Sequence, residues 1–395
     1  MGQGVSRSQI FFMVVTCILV IGNLYYNQPL LGLLAREFAV SEKQISLVPA
    51  LTLIGYAIGI LLLVPLGDMM ERRKLLQVSM GAAGTLAFAI AFSPSFAVLC
   101  ALSFLMGFFN VSATVLIPFS ANLARPEERG KVVGTVLSGI LLGSLMARTL
   151  AGVMAQHLGW KTVFLFAGTV NIVLALGIQW VLPESAPQFH GSYKALLRST
   201  LDLLYDFPLV REAALMGAIL FGSFSAFWTT LTFLLEGEPF HYSPQTIGLF
   251  GALGMVGALA APLAGRYADK RGTAATIRLG LYCSMAAFAV LALSSTFVFG
   301  VILGVLLLDL GIQVAHISNQ TRMFELSAEA RSRLSSIYIF CYFIGGSFGS
   351  YVGSQLWSWG RWPAVSLGGL VFCLGANLLF RRGQKIRMLA NTASH

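Results

Sequence analysis

Residues 44–67 read QISLVPALTLIGYAIGILLLVPLG, with no charged side chain, and Asp68-Met69-Met70-Glu71-Arg72-Arg73-Lys74 follows at once. A helix over such a stretch, at 1.5 Å per residue, is about 36 Å long. The hydrocarbon core of a bilayer is ~30 Å thick and is crossed by ~20 apolar residues. The stretch is therefore a membrane span, and the sudden return of charge marks the water boundary.

The pattern repeats along almost the whole chain. Twelve stretches of this kind fall at about 9–34, 44–67, 75–93, 96–123, 132–155, 162–182, 213–235, 244–264, 277–297, 299–321, 334–357 and 362–380 by hydropathy. Composition agrees: 56% of residues are hydrophobic and 11% charged, with mean hydropathy +0.78. A soluble domain carries ~25% charged residues, and a soluble fold of this apolarity would lack the polar surface to cover itself.

Charge sets the orientation. If the first span starts in the cytoplasm, only Arg36, Lys43, Lys161 and Arg361 of the 26 Lys and Arg residues fall on the outer side, and Arg148 falls inside a span. All the others fall on the inner side, as the positive-inside rule requires for an even number of spans with both termini cytoplasmic. The net charge of +10 is then a topology signal, and nucleic acid is not an expected partner. The first apolar stretch is too long for the core of a signal peptide and carries Asn23, Asn27, Gln28 and Pro29. The bacterial inner membrane is the expected location. Cys17, Cys100, Cys283, Cys341 and Cys373 all lie in apolar stretches without metal-ligand spacing and read as small buried hydrophobes. No metal or cofactor is expected.

One polar break is long, from Pro183 to Glu212, and it divides the chain into an N-terminal six-helix bundle (1–185), a cytoplasmic linker (186–211) and a C-terminal six-helix bundle (212–395). Within the linker, Tyr193, Leu196, Leu197, Thr200, Leu201 and Leu204 recur at helical spacing, opposite Lys194, Arg198 and Asp202. That predicts an amphipathic helix on the membrane surface. The halves repeat one another. Phe38-Ala39-Val40-Ser41-Glu42-Lys43-Gln44-Ile45 matches Phe240-His241-Tyr242-Ser243-Pro244-Gln245-Thr246-Ile247 at Phe, Ser and Ile. Each is followed by a Gly-rich span and an Asp turn with basic residues, around Asp68 in the first half and Asp269 in the second. Transporters built from duplicated bundles show such repeats, with the substrate site between them.

On these residues the chain resembles a major facilitator superfamily transporter. The superfamily's loop signature, roughly Gly-x-x-x-Asp-Arg/Lys-x-Gly-Arg-Arg/Lys, is matched by Gly265, Asp269, Lys270 and Gly272 in the second half. The first half keeps Asp68, Arg72 and Arg73, with Val64, Met69 and Glu71 at the other positions. The resemblance implies an all-α integral membrane fold, twelve transmembrane helices in two pseudo-symmetric six-helix bundles. It also implies that Asp68, Arg72, Arg73, Asp269 and Lys270 form a cytoplasmic gate. The plainer reading of these loops is a tight turn at a positive-inside boundary. More narrowly, Asn23-Leu24-Tyr25-Tyr26-Asn27-Gln28-Pro29, Ala147-Arg148-Thr149-Leu150-Ala151-Gly152 and Asp309-Leu310-Gly311-Ile312-Gln313 are similar to a bacterial branch of drug or sugar efflux permeases. Ala147-Arg148 stand where many exporters carry Gly-Pro, and Ser103 where they carry Arg.

A charge in mid-membrane costs ~2.5–3.5 kcal/mol on insertion scales, so each one is a functional candidate. Asp309 lies near the middle of the tenth span and shares a helix face with Gln313, His316 and Gln320, at spacings of 4, 3 and 4. A protonatable carboxylate is what proton coupling needs. Asp309 is the first candidate for proton carrier and His316 the second. The alternative is a structural ion pair between Asp309 and Arg148, which otherwise stands ready to neutralise an anionic substrate. Asn23, Tyr26 and Asn27 in the first span, Asn110 in the fourth, Trp228, Thr229 and Thr232 in the seventh, and Tyr338 and Tyr342 in the eleventh join Arg148, Gln313 and Gln320 as candidates to line a substrate cavity. For each, helix packing is the competing role. Gly345, Gly346, Gly349 and Gly353 are expected to permit close helix packing.

No Walker loop, His-Glu-x-x-His or Gly-x-Ser-x-Gly motif is present, so an enzyme is not expected. The function expected is secondary active transport of a small molecule by alternating access, as proton-coupled export (antiport). Proton symport or facilitated uptake of a small polar or anionic solute is the alternative. The expected partners are that substrate, protons as the coupling ion and membrane lipid, and the expected functional unit is a monomer.

Overall fold

The computed structural model describes residues 5–125, 127–185, 187, 191–254, 267, 270–324, 326 and 331–393. No strand occurs among them. Ten of the helices described are long and apolar enough to cross a membrane. The last of these, Arg333–Arg387, is two rods: the backbone leaves helical geometry at Gly360 (φ −147°) and Arg361 (φ 50°). The span expected from residue 244 is described over Pro244–Leu253, and the rest of it lies outside the described residues. The chain divides into two compact units, Met1–Leu197 with Leu235–Ala252, and Arg198–Leu234 with Leu253–His395.

The first unit contains α1 (Arg7–Ile21), α2 (Leu31–Glu37), α3 (Glu42–Ile45), α4 (Leu47–Leu63), α5 (Leu66–Met69), α6 (Arg72–Ala91), α7 (Phe96–Phe109), α8 (Ser112–Leu123), α9 (Arg129–Leu158) and α10 (Trp160–Val181). Ser6 starts α1 and Ser41 starts α3, each through a capping box with the Gln three residues on, which satisfies two orphan amide donors at each helix start. Two expected spans are not continuous. Between α1 and α2 the chain makes two 3-10 turns, Gly22–Leu24 and Gln28–Leu30, and Asn110 separates α7 from α8. Pro29, which lacks an N–H, and the weak helix formers Asn23, Asn27 and Asn110 fall at these breaks. Packing relies on small residues. A Cβ on Gly55, Gly59 or Gly107 would collide with a carbonyl oxygen across the α4–α7 contact.

The linker carries α11 (Tyr193–Asp206), as its periodicity predicts. Its Tyr193 hydroxyl donates to the Leu62 carbonyl at the end of α4, 2.6 Å away, and desolvation holds that phenol above its ordinary pKa. The buried stripe is Leu196, Thr200 and Leu203; Leu201, expected on it, is exposed. After α11 come α12 (Pro208–Glu236), α13 (Pro244–Leu253), α14 (Thr273–Ala292), α15 (Val298–Phe324) and α16 (Arg331–Ala393), the last broken at Gly360–Arg361. In the second unit a Cβ on Gly345, Gly349 or Gly353 would meet the backbone of Ala218, Gly222 or Ala226 on α12, which gives these glycines the packing role expected of them. Phe11, Phe92, Trp180, Leu293, Trp359 and Leu378 are exposed. On a membrane protein these large apolar side chains face lipid rather than water.

The internal repeat is visible in the backbone. Ala39 and His241, matched in sequence, both take φ near +50° (51° and 49°), and the Ser two residues after each accepts a hydrogen bond from the amide three residues on. A second correspondence, not noticed from sequence, lies before the sixth and twelfth spans. Gly159-Trp160 and Gly360-Arg361-Trp362 each hold a positive-φ residue directly before a buried Trp.

Candidate functional site

In the first unit the two helix breaks face each other. Asn23 Nδ2 donates to Asn110 Oδ1 at 2.8 Å, and Asn171 of α10 closes on Asn23 at 3.5 Å. Asn27 Nδ2 donates to Thr52 Oγ1 at 3.2 Å. Interrupted helices at membrane depth are where transporters place polar binding groups. Three amide atoms here, Asn27 Oδ1, Asn110 Nδ2 and Asn171 Oδ1, are buried with no hydrogen-bond partner among the described residues. Tyr26 is buried on the same segment, but its hydroxyl turns back to the Leu19 carbonyl and its ring covers Gly22.

Arg148 is buried on α9. Its Nε donates to Gln28 Oε1 at 2.6 Å, its Nη1 to the Ser144 carbonyl at 2.9 Å, and its guanidinium lies 4.6 Å from the centre of the Tyr25 ring. The structure thus joins Arg148 to the broken first span. Gln28, Tyr25 and Asn171 were not singled out from sequence. Gln28 and Tyr25 adjoin Asn27 and Tyr26, and Asn171 is an amide near the middle of an apolar span, so the signal was there to be read.

In the second unit, Asp309 is buried on α15, whereas Gln313, His316 and Gln320 on the same face are half-buried. His316 Nδ1 lies 3.1 Å from the Tyr338 hydroxyl and its ring 4.5 Å from that of Tyr342. Tyr342 stacks on Phe221 of α12 at 4.1 Å. Gln320 Nε2 reaches Ser335 Oγ at 3.5 Å. Trp228 is buried beside Phe227 and Phe224, Thr232 is buried, and Thr229 bonds Ser350 at 2.8 Å. His316, Tyr338 and Tyr342 therefore form one group, while Asp309 stands about 10 Å farther along the helix at 1.5 Å per residue.

A cluster that sequence reasoning missed continues from this group. Asn319 donates to the Ala213 carbonyl at 2.8 Å and accepts from Arg322 Nη2 at 2.7 Å. Arg322 also binds Glu212 at 2.9 Å, and Arg387 binds the other oxygen of the same carboxylate. Arg322 was counted with the loop charges; it lies in the last turn of α15, nine-tenths buried.

At the expected gate, Arg72 Nη2 binds Asp68 Oδ1 at 2.7 Å, and its backbone amide donates to Ser185. Arg73 binds Glu71 at 3.0 Å and Glu184 at 2.6 Å. Asp269 lies outside the described residues; Lys270 is helical and exposed.

The family model described as Major Facilitator Superfamily matches residues 11–350. The uncharacterized transporter YgaY of Escherichia coli O157:H7 is 40% identical over 387 residues, covering 98% of each chain. Among solved structures, a bacterial homologue of the human lysosomal transporter Spinster, inward-facing and occupied, aligns with TM-score 0.74 at 15% identity, covering 95% of this chain and 96% of that one. The nucleoside transporter NupG aligns with TM-score 0.73 at 13% identity, covering 95% and 98%. With the repeated backbone turns, the broken spans and the match over most of its length, this multi-pass membrane transporter belongs to the Major Facilitator Superfamily.

Proposed function

We propose that this transporter exports a small molecule across the bacterial inner membrane in exchange for protons, with both termini in the cytoplasm. The observation that carries the reading is the burial of Asp309 in the middle of α15, on the face shared with Gln313, His316 and Gln320. A carboxylate kept at membrane depth is costly, and its retention there points to a part in transport. In alternating access it loads a proton from one side and releases it to the other. In the first unit the solute contacts are the amides at the two helix breaks, Asn23, Asn27 and Asn110; in the second unit the candidates are Trp228, Thr232, Tyr338 and Tyr342. The Asp68–Arg72 pair holds the cytoplasmic end of the first unit, and Asp269 and Lys270 play the matching part in the second.

Arg148 supports a second reading, uptake of an anionic solute by symport or facilitation. It keeps its charge inside a span, and its planar donors suit a carboxylate or phosphate. Direction separates the two readings. In proteoliposomes screened with a panel of solutes, a proton gradient should drive solute movement opposite to the proton flow. Asp309→Asn should abolish gradient-driven movement yet retain solute exchange. Retained gradient-driven transport in well-folded Asp309→Asn protein would overturn the assignment and pass the role to His316. Loss of folded protein in Asp309→Asn, restored by Arg148→Gln, would show a structural ion pair instead.

A further inference from the structure

Helix α12 carries a carboxylate near each end, and each rests on a glycine of a neighbouring helix: Glu212 on Gly383 and Glu236 on Gly32. Their electrostatic settings differ. Glu212, in the first turns of the helix, is bound by two guanidinium groups, Arg322 and Arg387. Glu236 is the last residue of the helix, at the negative end of its dipole. One cation, Arg36 of α2, lies 3.6 Å from Glu236 Oε2, and the Arg36 side chain is 65% exposed against 15% for Glu236. Glu236 Oε1 is buried with no hydrogen-bond partner among the described residues. An ionised oxygen buried without a donor is costly. A proton on the carboxylate removes that cost and, with it, the attraction to Arg36.

The position matters because Glu236 lies at the start of Leu235–Ala252, the part of the second half that clusters with the first unit. Two of the polar contacts that hold that segment there come from α9. Thr149 Oγ1 of α9 donates to the Gly248 carbonyl at 2.8 Å, and His157 Nε2 lies 3.1 Å from Gln245 Oε1. Elsewhere the contact is close packing: Gly152 lies against Pro244 and Gly248, Gly251 against Arg148, and Ile247 and Phe250 are buried. Helices that meet on flat, glycine-lined faces can shift against one another as rigid bodies, and an ion pair at the edge of such a contact biases whether it stays closed.

We propose that Glu236 is a second proton-binding site of this transporter and the latch of residues 235–252: ionised, it pairs with Arg36 and holds the segment on the first unit, and protonated, it lets the segment go. The proposal rests on the proton-coupled reading above and places a second acid on the side of the membrane opposite the linker helix. The other charged or titratable groups on the neighbouring elements include Glu37 of α2, Glu42 of α3, Glu238, His241 and Tyr242 in the turn after α12, and His157 on α9.

The test uses the full-length chain in lipid nanodiscs, with its five cysteines replaced and a single cysteine introduced by Thr149→Cys. The readout is the rate of maleimide labelling, normalised to the same protein unfolded at the same pH, because thiolate content changes with pH. Labelling should be slow at about pH 8 and about tenfold faster at about pH 5.5, the range across which perturbed carboxylates change charge. Glu236→Gln, which is isosteric, and Arg36→Gln should each label fast at both pH values. Glu42→Gln, Glu238→Gln, His241→Gln and His157→Gln should keep the pH response. An unchanged response in Glu236→Gln, slow labelling of that variant at both pH values, a flat response with Glu236 present, or loss of the response in His157→Gln would each overturn the proposal. Asp309→Asn should keep the labelling response while losing gradient-driven transport. If transport proves indifferent to the proton gradient and the labelling pattern still holds, the proton-coupled reading fails and the latch stands.

Discussion

Arg148 shows how much a side chain's neighbours add to its charge. Placed within an apolar stretch it was a lone cation with two open roles, an anion receptor or a partner for Asp309. The structure gives it a planar setting: Gln28 takes Nε, the Ser144 carbonyl takes Nη1, and the Tyr25 ring supports the guanidinium face. A lysine keeps the charge but cannot fill two directed hydrogen bonds and a stack at once. Arg148→Lys should therefore fold and still lose at least about tenfold in transport rate, roughly 1.4 kcal/mol. A Lys variant as fast as the native protein in the proteoliposome assay would reduce Arg148 to a bare positive charge. The candidates Asn23, Asn27 and Asn110 were legible because an amide inside an apolar run is conspicuous. Their mutual contact was not legible, since positions 23 and 110 are brought together only by the fold.

At the scale of elements, hydropathy located the spans but smoothed over their interruptions. A hydropathy window averages across Gly22–Leu30 and across Asn110, where the helix stops and restarts. The Pro and Asn residues were visible, but whether they bend, cap or break a helix depends on partners far along the chain. The ends of α12, α15 and α16 teach the same lesson. Glu212, Arg322 and Arg387 read from sequence as boundary charges, and the structure gathers them into one cluster in which Glu212 and Arg322 are buried and Arg387 is partly exposed. Truncating one member of a buried ion cluster leaves its partners uncompensated, at a cost of about 3–5 kcal/mol. Glu212→Ala should lower the melting temperature in detergent markedly, and Glu212→Gln, which keeps one acceptor oxygen, should lower it less. Melting of both variants at the native temperature would mean that water already solvates the cluster.

For the molecule as a whole, the decisive information was spread thinly and evenly, which is why it survived reading without a structure. Each span is set by local apolarity, and each turn by local charge. The repeat between halves, three matched residues in eight, reappears as matched backbone conformations at Ala39 and His241. The orientation proposed above rests on the uneven distribution of Lys and Arg, because basic segments resist translocation during insertion. It makes a prediction that depends on no single site. Ser95, exposed in the short turn between the third and fourth spans, belongs outside, and exposed Lys270, after the eighth, belongs inside. In a cysteine-free background, Ser95→Cys should react with an impermeant thiol reagent added to intact cells, and Lys270→Cys should react only after the membrane is opened. Labelling of both from the same side would mean an even number of crossings between them, where the twelve-span reading requires five, and the assignment of both termini to the cytoplasm would fall with it.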